Sequence, residues 1–338
     1  MLNESVLNSE EAKKELLGLN ENGGNDNTNI PQNSLGERKE IGTPKVVEQS
    51  EGGLRIEIGY RNMAIETMPT KGRYYPDGTS IQYRGLDVLE IKHYSSMDEN
   101  DLIDVETHIN DILKKAVKIY MGGQIASYKD LKEADKLYMI FTIRDITMEK
   151  MNRKNVLNMP LTCKNNHTFK KEIDSSVFSY FLIPQKFEDF YDPEYKCYDL
   201  KKFANTDLDV YIPSIGTLEA ITNYIKIKVE GKSKNNYYNK QFLTFLQFLV
   251  ADWRELNTTE IDRLQKEFND INIWPMEKHD TMLAVTSRIS VSIEPSITVC
   301  CPEDNCGDEV TAPIRFPEGY RSIFNFSNIS SRLFGDTE

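Results

Sequence analysis

Two short cysteine turns, about 130 residues apart, constrain this chain more than any other feature. The first reads Cys163-Lys-Asn-Asn-His167 and runs into Thr168-Phe-Lys-Lys-Glu-Ile173. The second reads Cys301-Pro-Glu-Asp-Asn-Cys306-Gly307 and runs into Asp308-Glu-Val-Thr-Ala-Pro-Ile314. Each sets two soft ligands on a tight turn ahead of a strand-like run. Together they offer four nitrogen and sulfur ligands, the number that a closed structural zinc site uses. A closed site leaves no open position for chemistry, so the pattern points to architecture. The expected ligands are Cys163, His167, Cys301 and Cys306, with Cys300 competing with Cys301 for its place.

The plainer alternative is a set of buried thiols and a surface histidine, because free cysteine often serves as a small core residue. Cys-Pro and Cys-Gly in the second turn argue against it. Proline presets φ for the turn, and glycine lets the backbone fold back under a metal. A disulfide framework is not expected from five cysteines in a chain of 338 residues without a secretory leader. Cys197, between Lys196 and Tyr198, reads as a free structural thiol.

The balance of 53 acidic against 41 basic residues gives a formal net charge of -12. Sequence-independent nucleic-acid binding needs a basic surface, so this balance weighs against it. The basic residues at 226, 228, 232, 234 and 240, near Tyr237 and Tyr238, read as a solvated helix end. No basic and apolar leader opens the chain, and the longest apolar run, 242–251, is too short and interrupted to span a bilayer. Folding and action in a reducing cytoplasm are expected. No His-Glu-x-x-His, Gly-x-Ser-x-Gly or phosphate loop occurs, so an enzyme is not expected. His93, His108 and His279 stand alone in sequence, and the carboxylate pairs Glu188/Asp189 and Asp207/Asp209 read as solvated faces.

Along the chain, residues 1–53 form an arm, disordered alone, that is too rich in Asn, Gly, Glu and Ser to bury a core. It carries one short amphipathic helix at 10–19. The folded body opens with a strand at 54–58 and a Pro/Gly-dense loop at 68–79, whose Asp77-Gly78 signals a hairpin. Val105, Ile109, Ile112, Leu113, Ala116, Val117 and Tyr120 recur with helical period, and Gly122-Gly123 ends the pattern. Ser127 and Asp130 cap the next helix, whose apolar positions are Leu131, Ala134, Leu137, Tyr138 and Phe141. The expected divisions are 54–176 for the β opening, helix pair and first turn, and 177–287 for a helical block. That block has helices near 217–228, 237–252, 258–270 and 275–286. The last division, 288–338, holds strands at 288–293 and 296–299, the second turn and an aromatic tail. The fold class is α+β: a mainly helical body with short antiparallel strands and a zinc-ribbon-like element split by the helical block.

Met68-Pro-Thr-Lys-Gly-Arg-Tyr-Tyr-Pro-Asp-Gly78, followed by Ile81-Gln-Tyr-Arg-Gly-Leu86, resembles the opening of the baseplate hub proteins of T4-like contractile-tailed bacteriophages. In that family a Pro-Ser-x-Gly-x-x-Tyr-Pro loop precedes a strand and an Arg-Pro-Leu step. A helical pair, cysteine knuckles and a late aromatic end follow. Pro69, Gly72, Tyr75 and Pro76 match the loop, and Arg84 and Leu86 match the step. Cys163 and the Cys301/Cys306 pair match the knuckles, and Phe316 to Phe326 would be the aromatic end. His167 stands where the family has a cysteine, and the ligand spacing is wider. The resemblance implies a virion or virion-assembly protein of the tail baseplate, present in the host cytoplasm during assembly. It implies contacts with other tail proteins and no catalysis. The alternative from another class is a zinc-ribbon protein of nucleic-acid binding or transcription.

Overall fold

The structure, a computed structural model, describes residues 59–324 apart from 152–156, 180–184, 202–205, 231–237, 287, 290–293, 295 and 317–318. The arm expected at 1–53, its helix, the strand at 54–58 and most of the strand at 288–293 lie outside the described residues. The architecture is α+β, with helices joined to small antiparallel sheets.

The first sheet runs β1 (Arg61–Asn62), β2 (Ser80–Tyr83), β3 (Val117–Met121) and β4 (Gln124–Ala126) in that spatial order, all antiparallel. Helices α1 (Val88–Ser95), α2 (Leu102–Ala116) and α3 (Glu133–Lys150) contribute to the same core as this sheet. An apolar stripe carries α2 into the core, with Val105, Ile109, Ile112, Leu113 and Ala116 buried. The same core takes Ile81 and Ile119 from the sheet, and Met139, Ile140, Phe141 and Ile143 from α3.

Two sequence expectations are corrected here. The helix does not run on to Tyr120: it ends at Ala116, and Val117–Met121 is a strand. Gly122 and Gly123, at φ 57° and 78°, are not a helix cap but the two-residue turn between β3 and β4. Positive φ at both positions is the tight hairpin geometry that matches strand twist. Ile119 faces Ile81 across the sheet, and that pairing prevails over local helical period. Ser127 and Asp130 do form a capping box, but on a 3-10 turn, Tyr128–Asp130, two residues short of α3.

The loop at 68–79 is anchored in the interior, while Lys71, Asp77 and Gly78 stay exposed. Met68, Tyr74 and Tyr75 are buried, and α3 holds the loop through Asp135, itself fully buried. The Asp135 carboxylate accepts from the Thr70 N–H at 2.9 Å, the Thr70 hydroxyl at 2.7 Å and the Tyr75 hydroxyl at 2.7 Å. The Tyr75 oxygen in turn accepts from the Lys132 N–H at 2.9 Å. Burial pushes the Asp135 carboxyl up to about 6 despite these donors. Gly72, at φ 75°, turns the chain where a Cβ would overlap Ile65. Asp77-Gly78 forms a turn leading into β2, whose sheet partners are β1 and β3.

A second apolar cluster gathers the chain between Phe187 and Ile289. It includes a three-stranded sheet, β7 (Tyr191–Asp192), β8 (Cys197–Asp199) and β9 (Asp209–Tyr211), within the division expected to be a helical block. Around it stand α4 (Ile215–Glu230), α5 (Lys240–Leu249), α6 (Thr258–Asn269) and α7 (Met276–Thr286). Asn257 caps α6 by accepting from the Glu260 N–H, and Ile261, Leu264 and Phe268 supply its buried face. At the end of the described chain, Ile323 and Phe324 return to the first core, where buried Arg144 donates its Nε–H to the Ile323 carbonyl at 2.6 Å.

Candidate metal centre

Each cysteine turn closes a β-hairpin. The first joins β5 (Asn158–Thr162) to β6 (Thr168–Glu172), with Thr162 opposite Thr168. The second joins β10 (Ser296–Cys300) to β11 (Glu309–Pro313), with Cys300 opposite Glu309. Within the first turn the Cys163 N–H donates to the His167 carbonyl at 3.1 Å, and the Asn166 N–H to the Cys163 carbonyl at 3.0 Å. Within the second, the Cys301 N–H donates to the Asp308 carbonyl at 2.8 Å, and the Cys306 N–H to the Glu303 carbonyl at 3.1 Å. In both turns the residue ahead of the second ligand is an asparagine in the left-handed region, Asn166 at φ 63° and Asn305 at φ 64°. Asparagine tolerates that conformation better than other side-chain-bearing residues. Gly307 follows at φ 62° and takes the return bend that the Cys-Gly pair suggested.

The hairpins meet because their inner faces are apolar. Strand β11 lies against β5, and Ile297, Val299, Val310 and Ala312 share one cluster with Met159, Leu161 and Phe169. That packing brings four side chains from distant sequence to one point. Cys163 Sγ lies 3.8 Å from Cys306 Sγ, and Cys301 Sγ lies 3.7 Å from His167 Nδ1. All four ligand atoms fall within 4.8 Å of one another. In a tetrahedron built on metal–sulfur bonds of about 2.3 Å and a metal–nitrogen bond of about 2.0–2.1 Å, ligand atoms stand about 3.6–3.8 Å apart. Both separations match such edges. They are far beyond a disulfide bond of about 2.0 Å, and the cysteines are free thiols.

The sulfur surroundings test the fit further. The backbone amides of Glu303 and Asp308 favour the thiolate forms of Cys301 and Cys306 respectively. Asn165 Nδ2 donates to Cys306 Sγ at 3.3 Å. The Asn165 bond leads the causes that bring the Cys306 thiol down to about 7, whereas loss of water pushes Cys301 up to about 11. Hydrogen bonds from amides stabilise the thiolate, the form that binds metal. The donor set therefore fits a metal ion of tetrahedral preference. Cys163 and Cys301 are buried, while His167 and Cys306 are half-buried.

All four expected ligands come together, and the choice between the neighbouring cysteines is made. Cys301 points inward and Cys300 is exposed, since adjacent residues on an extended chain face opposite sides. Cys197 is buried in β8, among the residues of the second sheet. The other histidines are less solitary than their sequence positions suggest. The rings of His93 and His108 lie 4.8 Å apart between centroids, tilted by 33°, and His279 lies against Phe245 and Phe268. Of the carboxylates expected on solvated faces, Glu188 pairs with Arg73 and Asp209 is buried on β9. Lys228 of the expected basic cluster is tied to Asp262 at 2.8 Å. Sequence reasoning did not reach Asn165, Asp308 or Asp135. The only local signal for Asn165 is its place between two ligands. No helix among the described residues is long and apolar enough to cross a membrane.

Comparison with protein-family models, with curated proteins and with solved structures finds no match to this chain.

Proposed function

We propose that the chain is a non-enzymatic structural or assembly subunit of a contractile phage tail baseplate, in its hub region, clamped by one structural zinc ion. The observation that carries this reading is where the resemblance residues sit. Thr70 and Tyr75 bind buried Asp135, Gly72 makes a left-handed turn, and Leu86 is buried. Arg84 is spent on Glu90 at 2.6 Å, which favours an architectural role for the step as well as the loop. The four-ligand centre supports the same reading, because protein atoms fill every position of a tetrahedron and none is left for a substrate. Three thiolates and one imidazole favour zinc over harder ions.

The chain acts, in this reading, by binding other tail proteins. Residues 1–53 would serve as an extension that orders along a partner, at an affinity cost offset once the body is docked nearby. The test is assembly. A phage lacking this gene should accumulate incomplete baseplates seen by electron microscopy, restored by the full chain and poorly by one lacking residues 1–53. Normal tails without the gene would overturn the proposal, and genes for tail tube, sheath or hub subunits alongside it would support it.

The zinc-ribbon alternative draws on one observation, the pairing of two cysteine-turn hairpins around a single centre. Tight, salt-sensitive binding of the intact protein to DNA would favour it over the baseplate reading.

A further inference from the structure

The first turn reaches into the second through a residue that is not a ligand. Asn165 stands between Cys163 and His167, yet its amide contacts lie on the other hairpin, more than 140 positions away. Nδ2 donates to Cys306 Sγ at 3.3 Å and to Asp308 Oδ2 at 3.0 Å. The direction of the amide follows from chemistry. A carboxylate offers only acceptors, so the edge facing Asp308 must be the NH2 edge, and its second hydrogen is then left for the sulfur. Asp308 thus holds the amide in the orientation that serves Cys306.

We propose that Asn165 is a positioning residue of the metal centre, joining the two turns and setting the orientation and donor strength of the Cys306 sulfur toward the ion. This rests on the metal-centre reading given above. Two consequences follow from the geometry. The bonds to Asp308 and Cys306 span the two hairpins directly, so they hold the ligands near their bound separation before the metal arrives. Once the metal is bound, the N–H···S bond draws charge from one of three thiolates whose summed charge exceeds that of a divalent cation. Partners that orient and polarise metal ligands in this way change affinity by about 10–100-fold when removed.

The experiment uses the full chain, with Co(II) alone as the spectroscopic probe and Zn(II) affinity measured by chelator competition. Asn165→Ala is expected to keep one ion per chain and lose about 10–100-fold in affinity. It should also move the sulfur-to-cobalt charge-transfer band to lower energy, because a sulfur freed of its N–H donor gives up charge more readily. A residue that merely filled space would leave that band in place. Asn165→Asp, which sets a second carboxylate against Asp308 and cannot donate, should lose more affinity than Asn165→Ala. Asn165 is exposed, so both variants should fold, and far-ultraviolet circular dichroism of the metal-free forms checks this. Equal affinity and an unmoved band in Asn165→Ala would overturn the proposal while leaving the metal centre intact. Failure of the unaltered chain to take up Co(II) or Zn(II) would overturn the metal centre itself, and the role of Asn165 with it.

Discussion

Cys163 Sγ and Cys306 Sγ lie 3.8 Å apart although 143 positions separate them in the chain. A tetrahedral ion shared by these two sulfurs would close a loop that contains all of the second apolar cluster except Tyr74 and Ala134. Closing so long a loop removes much of the freedom of the unfolded chain, and metal affinity becomes folding stability.

The metal should therefore behave as a structural element. Elemental analysis of the purified chain is expected to give one zinc per molecule, and Cys163→Ala or Cys306→Ala to give well under one. Loss of about 5 kcal/mol of metal-linked stability would lower Tm by roughly 10 °C in a domain of this size. Cys300→Ser, on the exposed side of β10, should change neither quantity. An unchanged Tm in Cys306→Ala would show the centre to be dispensable.

Asp135→Ala should be among the most damaging substitutions away from the metal. It leaves the Thr70 N–H, the Thr70 hydroxyl and the Tyr75 hydroxyl without their common acceptor in a dry interior. Each orphaned donor costs about 1–3 kcal/mol, so a loss of at least about 3 kcal/mol is expected by denaturant titration. A loss under about 1 kcal/mol would mean that the loop at 68–79 finds other partners.

Asp135 also predicts a pH dependence. Its carboxyl titrates at about 6 in the folded chain against 3.8 when free, so the folded state holds its proton more tightly. The stability it contributes is full below about pH 4 and is lost as pH rises through about 6, a change of roughly 3 kcal/mol at 1.36 kcal/mol per unit. Asp135→Asn removes this titration. The stability of the unaltered protein minus that of Asp135→Asn should therefore fall between pH 4 and 6.5. A flat or rising difference would contradict burial as the dominant influence on the group.

Gly72→Ala should destabilise by about 1–3 kcal/mol, because a Cβ at φ 75° is strained and would overlap Ile65. Gly78→Ala, at φ 73° but with open space around the position, should cost less. Equilibrium unfolding of the pair separates backbone strain from collision, and equal losses would assign the Gly72 effect to φ alone.

Much of the site and part of the fold can be read from local sequence. Ligand type, Cys-Pro and Cys-Gly placement, and the strand-like run after each turn are short-range properties, so Cys163, His167, Cys301 and Cys306 were recognisable as one ligand set. The same holds for the place of α6, expected near 258–270 and observed at Thr258–Asn269, although its cap is Asn257 and not Thr259, where the sequence put the cap signal. Tertiary structure decided what depends on distant partners. Val117 and Tyr120 fit a helix by period, yet β2 lies alongside and pairs Ile81 with Ile119, drawing this stretch into the sheet. Alternation along a strand says that Cys300 and Cys301 face opposite ways, but only packing of β10 on the core says which faces in. Asp135 carries no local mark of its role, and Asn165 none beyond its place between two ligands. A buried acceptor and a bridging amide are defined by donors and acceptors 65 and 143 positions away, and only the folded chain brings those together.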